Sequence, residues 1–283
     1  MKAFAQWAMQ SRLRATATAF VCMATPLLFW LGAALVGLVI LRQGWREGRN
    51  VLAWAVLPAI AWVSIGDPTP LMAILGVSAL AVTLQQTVRL DYTLYLATGL
   101  GIVMSFLLPV LMPEFLELVA VSTKEVIEKS LADQPELMAA LEPLFKPMIG
   151  GVFSALHTLA IILSLLLARY WQSELYNSGG FGREFKKFRL PAAYSAPVVA
   201  LMFVTTSISP ELVRMLPVLT VIMMLAGLSL LHGLATLKAG SGWMVPVYVA
   251  LFIFGPYIYT LLIFLALLDS AMNFRKRVKD TAE

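Results

Sequence analysis

The sequence predicts an all-α fold: a polytopic transmembrane helical bundle of about eight to ten membrane helices or half-helices, each full span needing roughly 20 residues. Three observations predict it. Of the 283 residues, 60% are hydrophobic and only 13% are charged, where a soluble domain has about 45–50% and about 25%. So few charges cannot solvate a globular surface, so lipid must cover part of it. The mean hydropathy is +0.83. Third, the apolar residues come in span-length runs parted by short polar turns.

The runs follow in order. Lys2, Arg12 and Arg14 precede a first apolar region, Ala15 to Leu41, with Pro26 inside it. A basic start before an apolar stretch opens a signal peptide, but no small-x-small cleavage site follows, so the segment is read as retained. A second run covers about Val51 to Ile65, and the turn Gly66-Asp67-Pro68-Thr69-Pro70 follows. Further runs cover Leu71 to Val88 and Tyr92 to Met112. A polar interval, 113–147, precedes Ile149 to Trp171. A basic loop reaches Arg189, and runs follow at Pro191 to Ile208, Leu212 to Ala235 and Trp243 to Leu268, the last with Gly255-Pro256 near its middle. The whole chain, 1–283, reads as a single transmembrane domain.

Lys and Arg in short loops set orientation. Arg42, Arg46 and Arg49, and the loop 172–190, fit the cytoplasm. The interval 113–147 holds Glu114, Glu117, Glu125, Glu128, Asp133, Glu136 and Glu142 against three lysines, and fits the outside. Both terminal regions carry basic ends that suit the cytoplasm, yet single crossings there would put both ends outside. Proline removes a backbone donor, so short helical hairpins at Pro26 and Pro256 are expected, against the alternative of one kinked helix each. The 113–147 interval reads as amphipathic helix, broken at Pro135 and Pro143. Ser122 and Glu125 match a capping box. Such a segment lies on the bilayer surface or lids a cavity.

Chemistry-bearing residues are sparse. Cys22 is the single cysteine, which excludes an intrachain disulfide and cysteine metal sites. No metal motif, Walker loop or G-x-S-x-G is present, so neither an enzyme nor a cofactor is expected. Ionisable residues inside spans are candidates by default. His157 heads them, with Trp62 and Asp67 as further candidate ligand-binding residues on the outer side; a neutral His157 bonded across helices is the plain alternative. Asp269 is expected to cap its helix or pair with the basic tail, and Glu211 with Arg214. Gly32, Gly37, Gly99 and Gly101 are expected to mark close helix packing. In the 172–190 loop aromatics alternate with cations. Tyr176, Phe181, Arg183, Lys186, Lys187 and Arg189 are candidate partner-docking residues; interfacial anchoring on anionic lipid is the plainer reading. Nucleic-acid binding is not expected of a short loop held at a membrane.

The run Arg169-Tyr170-Trp171-Gln172, Leu175-Tyr176-Asn177, Gly179-Gly180-Phe181, Glu184-Phe185 and Arg189-Leu190 resembles the signature of YybS-like predicted bacterial membrane proteins. Leu41-Arg42-Gln43-Gly44 and Leu268-Asp269-Ser270 with Asn273-Phe274-Arg275-Lys276-Arg277 resemble that family's early loop and close. The resemblance implies a bacterial inner-membrane protein with a cytoplasmic N-terminus. It also implies distant similarity to the substrate-binding membrane subunits of energy-coupling-factor transporters. A small-molecule binding or transport subunit, served by a cytoplasmic motor partner, is the expected function; a membrane scaffold or regulatory partner is the alternative.

Overall fold

Helix breaks fall where the backbone loses a donor or takes a left-handed turn. The computed structural model describes residues 2–238 and 244–276. A short α1 (Lys2–Ala8) precedes α2 (Arg12–Ala24), which Ser11 caps by accepting from the Arg14 N–H. At Thr25-Pro26-Leu27-Leu28 the chain reverses. Leu27 has a φ of 62°, and the Leu28 N–H donates to the Thr25 carbonyl at 3.2 Å. This is a β-turn with proline second and leucine where glycine is usual. Next, α3 (Phe29–Gln43) runs back along α2, with Gly32 packed on Met23 and the Ala19 carbonyl. The first apolar region is therefore a helical hairpin.

Gly44, at φ 86°, joins α3 to α4 (Trp45–Ser64). Arg46 and Arg49 thus lie in the first turns of a helix rather than in a loop. The turn at 65–68 leads into α5 (Thr69–Thr87), and α6 (Leu90–Leu111) follows. Beyond them come α7 (Pro113–Ser130), α8 (Pro135–Leu141) and a 3-10 turn, Glu142–Leu144. The expected breaks at Pro135 and Pro143 are where these elements begin, because proline suits a first helical position. Ser122 is not a cap. It sits inside α7, which Pro113 starts well upstream, and its hydroxyl donates to the Leu118 carbonyl.

The longest helix is α9 (Phe145–Tyr176), 32 residues, or about 48 Å at 1.5 Å per residue. Then come α10 (Gly180–Lys187), α11 (Ala192–Ile208), a 3-10 turn at Pro210–Arg214, and α12 (Met215–Lys238). The described chain closes with α13 (Met244–Ile253) and α14 (Gly255–Met272). Among the described residues five helices are long and apolar enough to cross a bilayer, or six if the bent pair of α10 and α11 counts as one broken span. This is a multi-pass, all-α integral membrane protein.

Contacts fix each helix's direction. Arg12 pairs with Glu47 at the feet of α2 and α4, and the Trp62 indole donates to the Met23 carbonyl at their tops. Gly37 of α3 lies on Val77 of α5, and Gly44, just past the end of α3, near Gln85, so those two helices descend together. Gly101 meets Thr158, and Pro109 meets Gly150, so α6 and α9 are antiparallel. At the other end of the chain, Tyr248 of α13 lies beside His232 of α12. Tyr259 of α14 bonds Thr220, Leu262 packs on Gly227, and Arg275 reaches Ser229. Thus α14 runs parallel to α12 and α13 runs against both, with the reversal at Phe254-Gly255-Pro256. The last apolar region, from Met244 on, is a second hairpin; Trp243 lies outside the described residues.

These directions give the bundle two unlike faces. The basic face gathers α1, Arg42, Arg46, Arg89, the 172–190 segment and Arg275. The acidic face carries the turn at 65–68, the cap 113–147 and the turn at Pro210–Arg214. Both described chain ends lie on the basic face. Apolar side chains point outward to lipid, as at Phe252, which is 91% exposed, and Phe203, which is 78% exposed.

The interior is close-packed. Gly32, Gly37 and Gly101 each let a neighbour approach so closely that a Cβ would lie 3.0 Å or less from it. Gly99 does not behave as expected: nothing lies within 4 Å of its Cβ direction. Two residues along a helix turn the side chain by about 200°, so Gly99 and Gly101 cannot share one packed face. Several buried hydroxyls donate within their own helix: Ser78 to Ile74, Thr98 to Leu94, Ser154 to Gly150, Thr158 to Ser154 and Ser164 to Ala160. In hydrocarbon an unpaired hydroxyl is expensive, and this bonding uses the one proton each of these groups can donate.

Candidate functional site

Among the described residues three polar constellations stand out, two on the acidic face. In the first, part of the apolar side of α7 covers the first turns of α9, while Leu118, Val121 and Val126 stay exposed. The Phe115 ring sits edge-on to Phe153, Leu116 and Ala120 are buried, Glu117 pairs with Lys146 at 2.7 Å, and Lys124 reaches Glu142 at 2.6 Å. The carboxylate of Glu142 holds the Lys124 ammonium above its ordinary range. These pairs are exposed and screened by solvent, so they add little stability. Between α7, the start of α9 and Glu211 lies a cavity of about 450 Å³, lined by Glu117, Ala120, Lys124, Glu142, Phe145 and Lys146 among others. Its volume falls within the roughly 300–1,000 Å³ usual for small-molecule sites. Glu211 pairs with Arg214, whose guanidinium also donates to the Ser105 carbonyl and so ties the rim to α6.

The second constellation joins two residues singled out in the sequence. Asp67 accepts from the Thr69 N–H at 2.9 Å, and the Thr69 hydroxyl lies 3.1 Å from His157 Nε2. His157 Nδ1 is 2.7 Å from the Phe153 carbonyl. A carbonyl only accepts, so Nδ1 carries a proton, and a neutral ring then accepts the Thr69 proton at Nε2. Every ring nitrogen is thereby satisfied across α5 and α9. The Trp62 side chain is elsewhere, on the Met23 carbonyl. None of Trp62, Asp67 and His157 lines the cavity under α7. Thr69→Val is expected to lower stability by about 1–3 kcal/mol, the usual cost of an orphaned buried acceptor. Thr69→Ser is expected to preserve it. Thermal unfolding of the two variants checks this.

The third is on the basic face. The 172–190 segment is folded, not free. Tyr176 lies under the Arg42 guanidinium, 4.0 Å away. Phe181 packs on Tyr170 and Phe185, and Phe185 on His232. Arg169 pairs with Glu184 at 2.8 Å. Arg189 donates to the carbonyls of Asp269 and Ser270, and Arg275 to the Phe188 carbonyl and the Ser229 hydroxyl. Ser229 lies on the carbonyls of Phe185 and Phe188. Asp269, 3% exposed, accepts the Phe274 N–H and sits 3.8 Å from both guanidinium groups. Burial pushes the Arg275 guanidinium down, and the Asp269 charge opposes that. This clasp locks the loop to α12 and α14. Of the expected docking residues, Arg183, Lys187 and Tyr176 are exposed, the last beneath Arg42, whereas Lys186, Phe181 and Arg189 are half-buried, and Phe181 and Arg189 are engaged with the rest of the protein. The clasp's Asp269–Arg275 part was readable from the basic tail. Arg189, 80 residues from Asp269, carries no local signal of that bond.

Among the described residues no three His, Cys, Asp or Glu side chains gather as metal ligands. Fold and faces together define a polytopic helical membrane protein with a capped acidic face and a clasped basic face. No family model matches the chain, nor does any curated protein or solved structure.

Proposed function

We propose that this protein is a small-molecule-binding subunit of the membrane, with its site in the cavity under α7 and its basic face in the cytoplasm. The observation that carries the reading is the cavity itself: it is solute-sized, open to water, and lined by both carboxylates and ammonium groups. That lining suits a small solute bearing both signs of charge. The loop resemblance to YybS-like proteins, and through them to energy-coupling-factor binding subunits, supports a place in a transport assembly. The clasped loop is the surface such a motor would meet.

Native mass spectrometry of gently extracted protein tests this reading. A retained small solute is expected in the parent and not in Ala120→Trp, which fills the cavity from a buried position. A parent with no such mass, or a variant that keeps it, contradicts the assignment.

A second reading, a scaffold that docks a protein partner without substrate, is favoured by a different observation. The midplane is packed with small residues and locally bonded hydroxyls, which leaves no evident path for a solute. On this reading the outward Arg183 and Lys187 make the contact, and their replacement by alanine releases a copurifying protein.

A further inference from the structure

We propose that the basic face holds a specific site for an anionic phospholipid, its headgroup beside Arg89, Lys187 and Arg189 and an acyl chain between α11 and α14. Two cavities lie near Arg189. One, of about 260 Å³, is lined by Val88, Arg89, Asp91, Glu184, Lys187 and Arg189, among others. The other, of about 410 Å³, is a largely apolar groove along Ala192, Ala196, Ala200, Leu267 and Ser270. Arg189 joins them, since it lines the first and donates at 2.7 Å to the carbonyl of Ser270, which lines the second.

Charge selects the headgroup. Asp91 is bound by Arg89 and Glu184 by Arg169, while Asp269 is shared between Arg189 and Arg275. Lys187 has no ion pair among the described residues, and it is exposed. Arg89, Arg169, Lys187, Arg189 and Arg275 therefore outnumber the local carboxylates, and the surplus positive charge sits where headgroups lie. Shape selects the tail. Ala192, Ala196 and Ala200 recur every four residues and are exposed, so they cut a furrow one chain wide on the lipid side of α11. The hydroxyl of Ser270 adds an independent sign. It is buried, and it has no hydrogen-bond partner in the chain, which is rare for a native buried polar group. A lipid ester or glycerol oxygen at the head of the groove supplies one.

The test uses the full chain in nanodiscs of phosphatidylglycerol mixed equally with phosphatidylcholine, released into the gas phase by native mass spectrometry. Retained phosphatidylglycerol is expected to exceed retained phosphatidylcholine, and Lys187→Gln and Arg89→Gln are each expected to cut that preference roughly fivefold. Ala196→Trp, a change at an exposed position, is expected to abolish retention while leaving the helical circular dichroism of the parent. Equal retention of the two lipids overturns the proposal, as does retention unchanged by Ala196→Trp. A dimer peak in place of the lipid adduct also overturns it, because a second copy then covers the groove.

Discussion

Asp269→Ala is expected to destabilise the protein by about 3–5 kcal/mol, the range for removing one partner of a buried ion pair. The carboxylate is buried and sits between Arg189 and Arg275, both of which also bond backbone carbonyls. Without it, two guanidinium groups stay in a poorly hydrated pocket with no counter-charge. Phe274 also loses the acceptor for its N–H. Asp269→Asn separates these effects, since the amide keeps an acceptor for Phe274 but removes the charge. It is expected to lose most of the same stability. The local readout is trypsin: cleavage at Lys186 and Lys187 should rise sharply once the clasp no longer holds the loop on Ser229. An Asp269→Ala protein that unfolds at the parent's temperature, with a resistant loop, would show that the clasp contributes no stability.

Gly227→Ala is expected to cost about 1–3 kcal/mol, the usual range for overpacking a close contact, and Gly99→Ala to cost nothing. A Cβ on Gly227 would lie 2.2 Å from the Leu262 carbonyl oxygen and 3.0 Å from its Cα. Those are backbone atoms, so α14 itself must move away from α12, and the Tyr259–Thr220 bond at 2.7 Å is strained with it. Gly99 has no neighbour to displace, and alanine favours a helix interior by about 1 kcal/mol over glycine. The contrast between the two makes the pair informative. They are read together by thermal unfolding in one detergent, where equal effects would argue against close α12–α14 packing.

Composition and run length made the bundle legible, because lipid exposure leaves a signature in every span. Both hairpins were legible too, from prolines placed midway along regions too long for one crossing. What sequence spacing could not convey is which residues meet across helices. His157 was singled out, but its bond to Thr69 joins residues 88 apart and gives the ring a partner within the protein. Arg189 reads as one more cation in a basic loop, and only the fold takes it to Asp269. Ser122 shows the reverse error, where a local motif matched but a helix already under way used the hydroxyl differently. The amphipathic 113–147 segment suggested a lid over a cavity, but the lining of the α7 cavity could not be read, since it arises from a helix folding back along α9.

The central claim is a membrane bundle whose two terminal regions are hairpins, which puts both described chain ends on the basic face and the 113–147 cap on the other. Cysteine accessibility in sealed vesicles tests it most directly. With Cys22 replaced by serine, single cysteines go at the exposed positions Gln10, Ser130, Asn177 and Lys276. An impermeant maleimide is expected to label positions 10, 177 and 276 from one side of the membrane and position 130 from the opposite side only. Labelling of position 10 or 276 from the same side as 130 would contradict the hairpin at that end.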